Sequence, residues 1–493
     1  MRMSLPLAVV SAALLLAPAP SRADEIQDLR QQLRQVQADF EKTRQQQQQQ
    51  IDALSRKLAA LLPPTPPGPP APGTPAATPA PAADLEQQLA AELAASAPPT
   101  PADAAPAPMP AAAPVGARPG SSYMNISYGA TLDAGWSSVK DPSAFLQLGD
   151  HDPIKSGFAL RNAEIAVDGA VDPYFKGFSN IVLKLDKNNE TAIELEESFL
   201  ESTALPANLQ LKAGQYFAAF GRQNVQHPHM WSFADAPLVL NRMFGPDGLR
   251  SLGAQVSWLA PTPFYTEVFL SVMDGEGGTG FSFRNPGEPD EAGVSRFAGR
   301  ATFERNLRGP KDLLFVPRVA TSFELSDTQT VLAGVSGAFG PNDTGPQART
   351  AVYGADLYWK WKPANASQGF PYLAWQSEAL YRRFEAGADL AAGLPAETLH
   401  DYGYYTQLVY GFKPRWVAGV RFDYVNGNAG AFDPSDPFRG QRWRFSPDVT
   451  FLPSEFSKIR LQFNHDHGAT FGDANSVWMQ LEFGLGAHAA HKY

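Results

Sequence analysis

Arginine and lysine residues at alternate positions could give one face of this protein an affinity for anions. On a β-strand, residues two apart lie on the same face, so Arg442/Arg444 and Lys458/Arg460 would form a positive stripe on neighbouring strands. A guanidinium can hold a carboxylate or a phosphate through two parallel hydrogen bonds. Alternation along the predicted strands assigns these cations to the interior face: Arg296, Arg300, Arg318, Arg421, Arg442, Arg444, Lys458 and Arg460.

The same cations could instead brace the wall of the protein. Asp423, Asp448 and Glu324 fall on the same predicted strands, and arginines inside a protein often pair with such acids. An acidic stretch would oppose the stripe and create a transverse field or favour cations: Glu194, Glu196, Glu197 and Glu201. The sequence leaves the anion-selective and the bracing interpretations open.

Two histidine pairs, His227/His229 and His465/His467, have the spacing that puts both rings on one side of a strand. A closed zinc site needs more ligands than either pair supplies. We therefore expect no metal or other cofactor. The sequence contains no GxSxG, HExxH or phosphate-cradling glycine loop, so we also expect no enzymatic activity.

Long alternating patterns predict the elements that would position these residues. From Met124 to Ser137 apolar and polar residues alternate, which is longer than a typical strand of a soluble protein. After residue 23 no apolar run is long enough for a membrane helix, so any membrane embedding must use strands. We therefore predict an all-β fold, a transmembrane antiparallel β-barrel of about 16 strands, with 18 as the alternative.

Four longer insertions between the predicted strands are expected to be external loops. They are Phe220–Gly248, Asp274–Gly293, Glu385–Leu399 and Asn426–Gly440. The first is rich in histidine, proline and aromatic residues, and it is the best candidate to fold inward and narrow a pore.

The N-terminal quarter of the chain has a different composition. Residues 1–23 combine Arg2, an apolar core and a Ser-Arg-Ala end, which predicts a cleaved signal peptide. Residues 24–62 carry apolar residues in steps of three and four, which predicts a self-associating coiled coil, preferably trimeric. Residues 63–120 form a Pro/Ala-rich spacer, and residues 121–493 form the predicted barrel.

Overall composition excludes several classes of protein. The chain of 493 residues has no cysteine, which removes disulfides and thiol chemistry. Its formal net charge of −10 argues against nucleic-acid binding, which needs a basic surface.

Three segments in residues 158–258 resemble the phosphate-selective porin O and P family. They are Phe158-Ala-Leu-Arg161-Asn-Ala-Glu-Ile, Leu211-Lys-Ala-Gly-Gln-Tyr-Phe217 and Asn241-Arg242 with the residues up to Gly253. The resemblance implies a trimeric 16-stranded anion channel in the outer membrane of a Gram-negative bacterium, and some members carry an N-terminal coiled coil. Ala218-Ala219-Phe220 replaces the usual Lys and Pro, and Asn241 stands where Glu is usual.

Two functions follow as hypotheses. The first is a passive diffusion channel, expected to be a homotrimer in the lipid bilayer of the outer membrane, for small anionic solutes such as phosphate or carboxylates. The second is a structural anchor, in which the coiled coil reaches through the periplasm toward peptidoglycan or another periplasmic partner.

Overall fold

The computed structural model describes residues 123–486, apart from 171, 204, 288, 290–292, 429 and 432–438. The predicted signal peptide (1–23), coiled coil (24–62) and Pro/Ala-rich spacer (63–120) lie outside the described residues. They stay predictions.

The described residues are mostly strands, with two short helices. The strands are β1 (Tyr123–Ser137), β2 (Gly157–Ala170), β3 (Phe175–Leu185), β4 (Thr191–Ser202), β5 (Leu209–Phe217), β6 (Arg250–Leu259), β7 (Tyr265–Met273), β8 (Arg296–Phe297), β9 (Arg300–Ala301), β10 (Leu314–Ser326), β11 (Gln329–Pro341), β12 (Arg349–Trp361), β13 (Tyr372–Ala386), β14 (Glu397–Lys413), β15 (Trp416–Gly427), β16 (Arg442–Ser454), β17 (Ser457–Gly468) and β18 (Gly472–Gly486). The α-helices are α1 (Pro142–Phe145) and α2 (Leu238–Phe244), and single 3-10 turns lie at Pro206–Asn208, Pro228–Met230, Gly278–Gly280 and Pro310–Asp312. Within the described part of the chain, no helix is long and apolar enough to cross a membrane.

All the strands except β8 and β9 form one closed antiparallel barrel. Neighbours in sequence pair with each other, β7 pairs with β10, and β1 closes the ring against β18 from Ser127↔Gly486 to Ser137↔Ser476. Closure leaves no unpaired edge, so every strand finds backbone partners on both sides. The predicted fold class and the count of 16 strands are confirmed.

The barrel has its polar side chains inside and its apolar side chains outside. Gln376 and Gln407 are 5% and 6% exposed, whereas the adjacent Trp375 and Leu408 are 39% and 40% exposed. A soluble protein shows the reverse distribution. The alternation along each strand therefore matches a wall with lipid on its outer face and polar contents on its inner face.

The connections differ between the two ends of the barrel. One end carries the long ones, which span residues 138–156, 218–249, 274–313, 387–396 and 428–441. The other end carries mostly short turns, such as residues 327–328, 414–415 and 455–456. The described residues of the four predicted insertions lie at the long-loop end, and residues 138–156 add a fifth long connection that the sequence did not single out.

Placing a charge on the outer face should destabilise the barrel. Met479 lies in the middle of β18 and is 48% exposed. We expect Met479→Arg to lower the free energy of unfolding by about 2–4 kcal/mol, because a cation at the middle of a bilayer is poorly solvated. The measurement is urea-induced unfolding of the barrel in lipid vesicles, with Met479→Leu as the control. Equal stability of the two variants would contradict a lipid-facing β18.

Candidate functional site: two segments folded into the barrel

Residues 218–249, called here the inward segment, cross the interior of the barrel and bond to its far wall. The backbone N–H of Ala234 donates to Gln462 Oε1 on β17 at 2.7 Å, and that of Leu238 donates to Asp423 Oδ1 on β15 at 3.0 Å. Near its start, the backbone N–H of Gly221 donates to Ser336 Oγ on β11 at 3.0 Å. The prediction that this insertion folds inward is confirmed.

Apolar packing fixes the inward segment against β12 to β15. Phe220 and Phe244 are buried with their rings 4.8 Å apart and nearly perpendicular. They belong to a cluster that includes Val352 and Tyr405 of the inner wall. A Cβ at Gly354 of β12 would lie 2.6 Å from the Phe220 ring, so glycine at this wall position makes room for the phenylalanine.

Residues 138–156, called here the first loop, also fold into the barrel. Arg442 on β16 donates to the carbonyl oxygens of Phe145 at 2.8 Å and Leu146 at 2.6 Å. Gln147 Nε2 donates to Asp235 Oδ2 of the inward segment at 3.1 Å. The first loop is therefore held by the wall and by the inward segment together.

Asp235 is the charged residue on which these contacts converge. Its buried carboxylate pairs with Arg421 of β15, with Arg444 of β16 at 2.9 Å, and accepts a hydrogen bond from Asn464 Nδ2 at 2.7 Å. Burial alone would raise the pKa of Asp235, but the charges of Arg421 and Arg444 outweigh it and hold the pKa well below its usual range. Asp235 therefore stays ionised and links the inward segment to two strands.

Five of the predicted interior cations gather on β15, β16 and β17. They are Arg421, Arg442, Arg444, Lys458 and Arg460. Each has a carboxylate within 4 Å, drawn from Asp235, Asp423, Asp448, Asp466 and Glu482. Each also contacts the first loop or the inward segment: Lys458, for example, donates to the carbonyl oxygen of His229 at 2.7 Å, and Arg460 donates to that of Trp231 at 2.7 Å.

A sixth predicted cation, Arg318, lies apart from this group on β10. It faces the interior and holds Asp356 of β12 through two hydrogen bonds of 2.6 and 3.0 Å. A third hydrogen bond of 2.8 Å joins it to Ser336. Arg318 thus ties three adjacent strands together on their inner face.

The prediction that Arg296 and Arg300 lie on an interior strand face is wrong. Both belong to the long connection 274–313, where β8 and β9 form a two-stranded hairpin outside the barrel sheet. The positive φ angles of Ala298 and Gly299, 50° and 76°, turn the chain back after two residues, so alternation cannot extend across them. Arg296 pairs with Asp389 of the connection 387–396 at 3.2 Å, and buried Arg300 pairs with Glu397 at the start of β14.

The acidic residues of β4 form a network with histidines. His227 of the inward segment lies between Glu196 and Glu197, with ring nitrogen to carboxylate distances of 2.8 and 2.9 Å. His229 pairs with Glu164 of β2 at 3.0 Å, and His151 of the first loop lies 3.4 Å from Glu196. The histidine pair 227/229 is thus an attachment of the inward segment to β2 and β4.

Burial lowers the affinity of His151 and His227 for a proton, but the acids around these two residues raise that affinity by more. For His151, the hydrogen bond and charge of Glu196, with Asp247 and Glu164, raise the pKa to about 9. For His227, the charges and hydrogen bonds of Glu196 and Glu197 raise the pKa well above its usual value. Both are therefore protonated at neutral pH and balance the acidic strand.

The residues that could bind a metal are engaged with other protein side chains. Among the described residues, Asp150, His151 and Asp247 bring one ligand atom each within 4.8 Å of one another. Lys184 pairs with Asp150, and Arg250 lies 3.5 Å from Asp247, so protein cations already balance the two carboxylates. His465 and His467 bond to Asn475 and Asp473 at 2.9 and 2.6 Å and lie against Trp443 instead of converging on a shared site.

A cavity of about 340 Å³ lies between the inward segment and the inner face of β12, β13 and β14. It is lined by Arg222, Gln226, His229, Met230, Ser232, Tyr358, Lys360, Tyr372, Ala374, Gln376, Gln407 and Val409. Neither Arg222 nor Lys360 is among the predicted site residues. Alternation on β12 could have found Lys360, which shares a face with Asp356 and Tyr358, whereas nothing in the local pattern marks Arg222.

Removing the charge of Asp235 should loosen both inward-folded segments. We expect Asp235→Asn to lower the free energy of unfolding, by less than the about 3–5 kcal/mol typical for one partner of a buried pair. The loss is reduced because Arg421 retains Asp423 and Arg444 retains Asp466. The measurement is thermal unfolding in detergent. Glu276→Gln, which removes an acid from a partly exposed pair with Arg284, is the control and should change little; equal effects of the two variants would refute the role of Asp235.

Alkaline pH should weaken the attachment of the inward segment and of the first loop to β4, which His227 and His151 make. The folded-state pKa of His151 is raised to about 9, and that of His227 is raised well above its usual value. Their ion pairs therefore contribute fully below pH about 6.5, and each is lost as the pH rises through the raised pKa of its histidine. We expect thermal stability to fall between pH 7 and about 10. The double variant His151→Asn/His227→Gln should already be less stable at pH 7 and should show a smaller fall. Parallel pH profiles for the two proteins would argue against this attachment.

The chain was compared with family models, with solved structures and with known protein sequences. No family model matches it. Among solved structures it is similar to the outer membrane channel DcaP of Acinetobacter baumannii (11% identity, 76% of this chain and 100% of that chain, TM-score 0.49) and to an anion-selective porin from Comamonas acidovorans (7% identity, 74% and 100%, TM-score 0.48). In sequence it is 32% identical over 361 residues to an uncharacterized protein of Aquifex aeolicus, covering 69% of this chain and 71% of that protein. The chain therefore belongs to the same protein family as this Aquifex aeolicus protein, and its fold is a closed antiparallel barrel of 16 strands.

Proposed function

We propose that this protein is an outer-membrane porin that lets small, mainly anionic, solutes diffuse passively across the membrane. The observation that carries the proposal is a closed barrel with an apolar outer face and a polar interior that two folded-in segments narrow. A barrel of this kind excludes lipid from its interior and can hold a water-filled path. The folded-in segments would then set the size limit for solutes.

The anionic preference and the identity of the solute belong to this proposal. Phosphate and carboxylates are both oxyanions that arginine and lysine side chains can bind. The arginines in the segments that resemble the phosphate-selective porins are already engaged: Arg161 donates to three backbone carbonyls, Arg242 pairs with Asp401, and Arg250 pairs with Glu194. The proposal therefore names small oxyanions as a class.

The six wall cations act in this proposal mainly as braces. Arg318, Arg421, Arg442, Arg444, Lys458 and Arg460 each have a carboxylate nearby. A paired cation attracts a passing anion weakly, since the neighbouring carboxylate cancels most of its field. Their first role is then to hold the wall and the inward-folded segments in one arrangement.

Homotrimer formation is a further part of the proposal. Its support is the apolar seam of residues 24–62 in the sequence, which suits association of identical helices. Chemical cross-linking of the full-length mature protein in detergent should yield a trimer. A variant with Leu29→Ser and Leu33→Ser, which interrupts the seam, is the matched comparison and should yield less trimer.

Conductance across a planar lipid bilayer tests the proposed function. We expect the purified, folded protein to produce stepwise increases in current, because each inserted barrel adds one water-filled path. Under a salt gradient, the reversal potential should have the sign of anion preference. Heat-denatured protein in the same detergent is the control. An absence of steps would favour the structural anchor, and a cation-selective reversal potential would refute the anionic preference.

A further inference from the structure

We propose that Arg222 and Lys360 form the site that selects oxyanions inside the barrel. The proposal deepens the proposed function, because it names the residues and the ligand class of the same channel. Both residues line the cavity between the inward segment and the wall, near the short-turn end of β12 and β13. A single small anion, such as phosphate or a small carboxylate, would suit a cavity of about 340 Å³.

The side chain of Arg222 is held in place by neutral groups. Its guanidinium carbon lies 4.0 Å from the centre of the Tyr358 ring, and its Nε donates to Gln376 Oε1 at 3.2 Å. Its backbone N–H donates to Glu378 Oε1 at 3.1 Å, which fixes the start of the inward segment. Within the described residues, no carboxylate lies within 4 Å of its guanidinium nitrogens. The guanidinium group is therefore held in a fixed position without an ion pair to a described carboxylate.

Lys360 of β12 supplies a second cation to the cavity lining. It lies near the end of β12, and its side chain is exposed. Its Nζ lies 5.9 Å from the centre of the Tyr372 ring, a contact that leaves the ammonium group available to solvent. In the part of the chain that the structure describes, no carboxylate lies within 4 Å of this nitrogen either.

The contrast with the wall cations decides which residues select ions. Arg442 and Arg444 share Asp466, and Arg318 holds Asp356 with two hydrogen bonds, so an anion would have to compete with a fixed carboxylate. At Arg222 and Lys360 an anion meets no such competitor. Two unpaired cations in a narrow passage with low-dielectric walls focus the field on the solute path.

The remaining lining suits an oxyanion. Gln226, Ser232 and Gln407 offer amide and hydroxyl hydrogens around the cavity. Tyr358 and Tyr372 supply ring surface beside the two cations, which would suit a carboxylate with a small organic part. Inorganic phosphate and organic carboxylates both carry the negatively charged oxygens that the two cations would bind. An experiment must therefore determine which of the two ligands the site prefers.

Reversal potentials in a potassium chloride gradient test the site. The variants are Arg222→Gln, Lys360→Gln and the double variant, with Lys311→Gln as the control. Lys311 is exposed in the connection 274–313, at the opposite end of the barrel and outside both inward-folded segments, so its variant removes the same charge outside the cavity. We expect the double variant to lower the anion-to-cation permeability ratio by about tenfold, the low end of the effect of focused charges on ligand entry. The control should leave the ratio unchanged.

Adding phosphate or benzoate to the chloride solution separates the two sources of oxyanion. We expect at least one of them to reduce the chloride current of the wild-type protein and not that of the double variant. Block by phosphate alone, or by benzoate alone, supports the site and identifies its preferred ligand. The exposed Lys360→Gln variant keeps the test valid if Arg222→Gln does not fold.

Three outcomes would overturn the site while leaving the channel intact. They are an unchanged permeability ratio in the double variant, an equal change in Lys311→Gln, and the absence of block by either anion. Failure of the proposed function would look different, because the wild-type protein would then give no current steps at all.

Discussion

The ion pairs that Asp235 makes with Arg421 and Arg444 determine what the inside of this barrel can contain. A segment that carries carboxylates and unpaired backbone groups is costly to bury unless each charge meets an opposite charge. Here the inner wall supplies the cations, and the inward segment and the first loop supply acids and carbonyl oxygens. If either the wall cation or its partner in the folded-in segment were removed, a charge would remain buried beside an apolar or like-charged neighbour. The narrowing of the interior therefore depends on charge matching as much as on apolar packing.

Two kinds of interaction stabilise this fold: backbone hydrogen bonds around the ring and side-chain pairs inside it. Backbone hydrogen bonds around the closed ring hold the strands, and they require only extended backbone and a partner on each side. Side-chain pairs inside the ring then decide how the loops sit within it. Glycines such as Gly354 matter for the second task, because the wall must leave space where Phe220 approaches it. The outer face has a different requirement, which is a continuous apolar surface.

The sequence predicted the barrel well because alternation is a local property. A period of two shows which residues share a face, and this was enough for the barrel, with 16 strands preferred to 18, and for the inward direction of six cations. It could not show the partners of those cations: Arg442 contacts Phe145 across 297 positions of the chain. The same limit hid the inward path of the first loop and the position of Arg222. The predicted interior position of Arg296 and Arg300 was wrong for another reason, because the turn at Ala298 and Gly299 interrupts the alternation.

Charge matching also determines which residues are left to act on solutes. Where a wall arginine is paired with a carboxylate, its field at a distance is small, and its substitution would disturb the fold before it changed ion preference. Arg222 and Lys360 are constrained less, because Tyr358 and Gln376 position the arginine through neutral contacts and Lys360 is exposed. The interior thus separates the cations that maintain its shape from those that can meet a solute. In such an arrangement, the ion preference of the channel can change through one or two residues while the barrel and its inward-folded segments stay the same.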